Sequence, residues 1–178
     1  MTKFYKEEQK IINWLDKYEV KNYKLLPDEQ YGFIVNVTGY VDLSDEKFLS
    51  IPIKFSEVTG SFNCSNTKIT SLEFCPQTVG GNFDCSHNQL TSLKFCPQTV
   101  NGSFYCSHNK LASLEFSPQT IGRSFYCDHN PKLKEIQKIS DFKLIFLEHK
   151  KILIAKFSDK LENDLSNDNS KKITKIKI

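Results

Sequence analysis

The chain has one tryptophan and one methionine in 178 residues, and nothing close to a membrane-spanning apolar run. Its longest uninterrupted apolar stretches are Leu144–Leu147 and Ile152–Ala155, against the roughly 20 residues that a bilayer-crossing helix needs. The first residues, Met1-Thr2-Lys3-Phe4-Tyr5-Lys6-Glu7-Glu8, hold no apolar stretch of the kind a secretory signal carries. A cytoplasmic address is therefore expected, with the six cysteines as reduced thiols. Neither sign of charge dominates: 24 Lys and Arg against 21 Asp and Glu leave +3, too mild to argue for nucleic acid by itself. Catalytic grammar is missing as well. There is no Gly-x-Ser-x-Gly elbow, no P-loop and no His-Glu-x-x-His, so a non-enzymatic protein without a cofactor is expected. What the chain does have is fourteen Phe and seven Tyr, as though one residue type had been copied repeatedly into one structural slot.

Sliding the sequence along itself by 21 residues shows the copying. Phe62-Asn63-Cys64-Ser65 falls on Phe83-Asp84-Cys85-Ser86, then on Phe104-Tyr105-Cys106-Ser107 and Phe125-Tyr126-Cys127-Asp128. The same shift superposes Val58, Val79, Val100 and Ile121, the leucines 72, 93 and 114, the prolines 76, 97 and 118, and the glycines 60, 81 and 102. A weaker copy upstream places Gly39, Val41, Leu43, Phe48 and Ile51 in the equivalent slots. A truncated copy downstream inserts one residue before Leu133 and Ile136. About five coils follow, with degenerate coils at both ends, where a solenoid must face water.

Phe83-x-Cys85-x-x-Asn88-x-Leu90-x-x-Leu93, repeated at Phe104-x-Cys106-x-x-Asn109-x-Leu111, resembles the leucine-rich-repeat pattern with Phe and Cys in two leucine slots. The chain is similar to the short leucine-rich-repeat proteins of bacteria and phages over roughly residues 39–137. The resemblance implies an α+β solenoid with a parallel sheet, in the cytoplasm of a bacterial or phage-infected cell. It is nearly silent on function, because such repeats bind many unrelated partners. By analogy it suggests an inhibitor or modulator of a host factor.

Each coil is expected to hold one short strand, roughly Gly60–Cys64 and its equivalents, with Phe and Cys inward and the residue between them outward. Phe62, Phe83, Phe104 and Phe125 should then form an internal aromatic ladder. The Asn column (Asn88, Asn109, Asn130) should satisfy buried backbone groups, and the prolines should lie on an irregular convex return. The glycines should supply a special backbone conformation or a close approach. Arg123 interrupts their column, so the last strand is expected to be distorted or edge-like.

Residues 1–38 are expected to form an N-terminal cap. It consists of an amphipathic helix over 6–18 and a hairpin whose strands flank Pro27–Gly32, covering the first sheet edge. Residues 138–166 read as a C-terminal helical cap and 167–178 as a basic tail. The Lys-rich region from Pro131 onward offers an alternative function, nucleic-acid or ribonucleoprotein binding. Asp42, Asp45, Asp84 and Asp128 on the concave strip argue against it.

The expected binding face is that strip, with variable residues outside an invariant buried pattern. Its partner-binding candidates are Asp84, Tyr105, Tyr126, His87, His108, His129 and Asp128, and tyrosine is a frequent interface anchor. The four Cys of the strand column are spaced by 21 and not as C-x-x-C pairs, so they read as small buried hydrophobes. The three histidines read as a polar column copied with its repeat, and no metal site is expected. A protein partner, self-association and no membrane complete the reading.

Overall fold

A computed structural model describes residues 3–133. The expected C-terminal helical cap, Ile136 and the basic tail lie outside the described residues. Helix α1 (Lys3–Lys17) matches the expected amphipathic segment. Leu15 on its inner face is fully buried, and Trp14 meets Phe55 of the solenoid edge-on with ring centroids 6.4 Å apart. The helix ends in a paired left-handed turn. Val20 N–H reaches back to the Leu15 carbonyl (2.9 Å) and Glu19 N–H to that of Asp16 (3.1 Å), with Glu19 at φ 53°. Those two bonds satisfy carbonyls that the last helical turn leaves open.

The hairpin forms as read, from antiparallel strands β1 (Tyr23–Asp28) and β2 (Gly32–Val37). The Asp28 carboxylate accepts from Gln30 N–H (2.9 Å) and Tyr31 N–H (2.8 Å), and Gly32 takes a positive φ of 76°. Glycine takes this left-handed torsion without the strain that a Cβ brings.

After the hairpin the chain winds into stacked coils of 21 residues, each contributing to two parallel sheets. One sheet carries the expected Phe strands: β3 (Val41–Asp42), β5 (Phe62–Asn63), β7 (Phe83–Asp84), β9 (Phe104–Tyr105) and β11 (Phe125–Tyr126), in that spatial order. Every pair is in register, Phe62 against Phe83 and Phe83 against Phe104. The second sheet was not expected. It consists of β4 (Phe55–Val58), β6 (Thr78–Val79), β8 (Thr99–Val100) and β10 (Thr120–Ile121), joined to β2 and β1 at its first edge. The segment read as an irregular convex return is therefore a ladder in its own right. Pro76, Pro97 and Pro118 stand just ahead of it, and the first ladder donors follow them. Gln98 N–H bonds the Gln77 carbonyl and Gln119 N–H the Gln98 carbonyl, both at 2.9 Å. Proline thus costs the sheet no donor. The hairpin likewise extends this second sheet, with β2 parallel to β4, and does not cover the edge of the Phe sheet, which begins at β3.

Between the sheets the expected columns are filled. Phe62, Phe83 and Phe104 are fully buried, as are Val58, Val79, Val100 and the strand cysteines 64, 85, 106 and 127. The phenylalanine rings stack at 5.7, 5.4 and 5.5 Å from Phe62 to Phe125, with interplanar angles of 10°, 16° and 5°. Each such ring adds about 1.5–3 kcal/mol from burial alone. Gly60, Gly81 and Gly102 answer to close approach, whereas Gly39 at the head of their column takes a positive φ of 127°. A Cβ on Gly102 would stand 2.7 Å from the Gly81 backbone, and one on Gly60 would stand 2.4 Å from the Gly39 carbonyl oxygen. Arg123 does not distort its strand. Its N–H donates to the Gly102 carbonyl at 3.0 Å, and β11 lies in register on β9 as an edge strand of the described sheet.

The asparagine column does what its slot demands. Asn109 Nδ2 donates to the carbonyls of Cys85 (2.9 Å), Cys106 (3.1 Å) and Ser107 (3.3 Å), while Oδ1 accepts from Leu90 N–H (3.0 Å). One amide thus serves its own coil and the coil before it. Asn88 and Asn130 repeat the pattern. Among the described residues no helix is long and apolar enough to cross a membrane.

Candidate functional site

Four columns run along the outer side of the Phe sheet, and the structure divides them into pins, turns and free groups. Ser61, Asn82, Ser103 and Ser124, read as part of the binding face, are inter-coil pins. Asn82 N–H donates to Ser61 Oγ (3.0 Å), Ser103 N–H to Asn82 Oδ1 (2.8 Å) and Ser124 N–H to Ser103 Oγ (3.3 Å). The next column starts with turn-makers. The side chains of Asp42, Asn63 and Asp84 each accept from the N–H two residues on, at 3.0, 3.0 and 2.8 Å. This is the local turn that Asn and Asp favour. Candidate Asp84 therefore has one carboxylate oxygen committed to its own backbone.

The column then changes chemistry. Tyrosine, with its hydroxyl at the far end of a ring, cannot close that two-residue turn, yet it occupies the slot in the last two coils. Tyr105 and Tyr126 stack with ring centroids 4.8 Å apart at 6°, and Tyr126 remains 40% exposed. Toward the N-terminus the smaller Asp84 and Asn63 leave a hollow of about 310 Å³ beside Tyr105. At the far end of the same column, Asp42 lines a second hollow of about 380 Å³ with Lys17, Tyr18 and Tyr40.

The third column is less open than expected, since Ser86 and Ser107 are buried. Its last member, Asp128, is half-buried. It accepts a hydrogen bond from the Ser107 hydroxyl and holds His129 Nδ1 at 2.6 Å from Oδ2. The Ser107 bond, aided by His129, keeps the Asp128 carboxyl below its ordinary range. The fourth column is exposed. His87, His108 and His129 stack at 4.1 Å, with interplanar angles of 12° and 7°. Desolvation, followed by the charges of the two flanking imidazoles, lowers the pKa of His108. All seven candidates thus reach the surface of one face, with the tyrosines in one row and the imidazoles in another.

No family model, curated protein or solved structure matches the chain. The site is therefore read from its geometry.

That geometry also accounts for why histidine recurs. Asp45, Asn66, His87, His108 and His129 all have φ between 53° and 62°. Asn, Asp and His are the non-glycine residues that best tolerate this left-handed conformation. The restriction of the slot to those three types is the mark that this conformation leaves in the sequence. Conformation explains why the slot excludes most residues, although it does not explain the choice of three histidines in succession.

The thiols are no part of this surface. Six free cysteines are buried. Burial pushes Cys96 and Cys127 up to about 12, and Cys75, Cys85 and Cys106 well above the ordinary thiol value. A thiolate is the reactive form, so a thiol reagent at pH 8 should label the native protein only as fast as it opens. In denaturant all six should label at once. Prompt labelling of a native strand-column cysteine would mean that the coils part far more easily than their ladders indicate.

Proposed function

We propose that this protein is a non-enzymatic recognition module that binds another protein through the face carrying Tyr105 and Tyr126. The supporting observation is the switch within one column. Three coils use Asp or Asn to close a turn, and the last two give that bond up to display a stacked, partly exposed aromatic pair beside a hollow. Packing has little use for such a change, whereas tyrosine is enriched among interface anchors. The resemblance to short leucine-rich-repeat proteins of bacteria and phages supports a cytoplasmic partner and, by analogy, the inhibition of a host factor.

Size constrains how the partner sits. Five strands at about 4.8 Å span only about 20 Å, short for the roughly 800 Å² that each side of a stable complex buries. The partner must therefore continue past the strip, and the hollow beside Lys17, Tyr18 and Asp42 lies on the same column.

The test is the double variant Tyr105→Asn, Tyr126→Asp, which returns the slot to residues it already holds at Asn63 and Asp84. Its melting temperature should stay close to that of the parent. Capture of the partner that the parent retrieves, identified by mass spectrometry, should collapse, since each anchor contributes about 2 kcal/mol or more. Undiminished capture would move the interface off this face.

A further inference from the structure

The last histidine step holds a group that the other coils lack. In the third column, serine occupies the slot at positions 65, 86 and 107, and only position 128 carries a carboxylate. Asp128 falls where two imidazoles are already stacked. One ligating atom from each of His108, Asp128 and His129 can be chosen so that all lie within 4.8 Å of one another. No other group of three or more potential ligands meets that standard among the described residues. The cysteines, although stacked by the same repeat, do not.

We propose that His108, His129 and Asp128 form a binding site for a divalent transition-metal ion of the zinc type. Two imidazoles and one carboxylate are a ligand set that suits zinc and its neighbours, not magnesium or calcium, which favour oxygen ligands alone. The carboxylate is already oriented, because the Ser107 hydroxyl holds one oxygen while the other faces His129. The backbone is oriented as well: the left-handed torsions at 108 and 129 aim both rings outward from adjacent coils at equal height. What remains is a side-chain movement. A tetrahedral ion with ligands at about 2.1 Å keeps them about 3.4 Å apart, so the parallel rings must turn toward each other. Both are exposed, the His129 side chain at 66%, and no core contact opposes the rotation. Water would complete the coordination on the open side.

Zinc chloride titrated calorimetrically into untagged full-length protein tests the site, with magnesium chloride as the contrasting ion. The substitutions are His108→Asn and Asp128→Ser, because the same slots hold Asn66 and Ser65, Ser86 and Ser107; the fold accepts both by its own precedent. One zinc ion per chain should bind. Each substitution should weaken it at least about tenfold, since even supporting residues of metal sites cost 10–100-fold. His87→Asn, two coils away from the carboxylate, should leave affinity unchanged, and magnesium should not compete. Failure of the parent to bind zinc saturably overturns the proposal. So does zinc binding that survives both substitutions, which would place the ion elsewhere in the chain, or an equal loss in His87→Asn. The proposal stands apart from the recognition reading, because Tyr105→Asn, Tyr126→Asp should bind zinc as the parent does.

Discussion

Asn109→Ala should cost the fold about 2–3 kcal/mol, with a denaturant midpoint well below the parent's and an unchanged slope. The side chain is small, and the loss is almost entirely one of hydrogen bonds. Removing the amide strips Leu90 N–H of its acceptor and takes one of two donors from the Cys85, Cys106 and Ser107 carbonyls, which keep those of Asn88, Asn130 and His87. Each buried polar group left unsatisfied costs about 1–3 kcal/mol. Threonine at the same place should not rescue the fold, although Thr67 stands in this column. Thr67 Oγ1 lies 2.9 Å from the Cys64 carbonyl of its own coil, and Asn88 of the next coil accepts from both Thr67 and Ile69 N–H. Position 67 dispenses with an amide because the coil before it is the irregular first one, whereas position 109 must accept from Leu90 N–H of a regular coil. Asn109→Asp should be harsher at neutral pH. The carboxylate keeps an acceptor for Leu90 but turns its second oxygen toward three carbonyls, so burial and repulsion raise its folded pKa. A raised carboxyl pKa means the folded state holds the proton longer than the unfolded chain, so stability falls as pH rises above about 4, the unfolded value. A midpoint for Asn109→Asp that is flat from pH 4 to 7 would contradict this account of the column.

The period was legible because parallel stacking makes one physical environment recur every 21 residues, so each coil preserves the same volume, polarity and torsion. The Phe ladder and the asparagine amides could be read from it, and the N-terminal helix and hairpin from the spacing of apolar residues in 6–37. The second sheet could not: its strands in the repeats are as short as those of the Phe sheet, but each offers one buried valine where the Phe strands lead into an alternating Phe-x-Cys pair. They announce themselves only as a valine column behind a proline. Periodicity also fails to say which way a column faces. Phe95 and Phe116 repeat as faithfully as Phe83 and Phe104, yet they are 45% and 50% exposed, at positive φ. For the candidate site, the sequence identified the variable face. It could not separate side chains that hold the coils together, such as Ser103 and Asp84, from those released for another use. Only hydrogen-bond partners make that distinction: they set the tyrosine pair apart from the turn-closing Asp and Asn of its column, and they show Asp128 held between Ser107 and His129.

Phe83→Ala should be the most damaging apolar deletion, at about 3–5 kcal/mol, or a drop in melting temperature of about 6–20 °C at roughly 2–4 °C per kcal/mol for a chain of this size. The ring is covered on both faces, by Phe62 at 5.7 Å and Phe104 at 5.4 Å. Neighbours collapse into a cavity only if the backbone can move, and here it cannot move far. Phe83 N–H is tied to the Ser103 carbonyl at 3.0 Å and Cys85 N–H to that of Tyr105 at 2.9 Å. The glycine contacts already bring adjacent coils as close as backbones allow. The void should therefore persist at nearly full volume, which is the condition under which large-to-small substitutions cost most. Phe83→Leu, the residue that the repeat pattern itself favours, should recover most of the loss by filling the space without the stacking. Phe95→Ala removes the same ring from an exposed slot and should cost less than about 1 kcal/mol. Equal destabilisation by Phe83→Ala and Phe95→Ala would mean that the stacked ladder is not what holds the coils together.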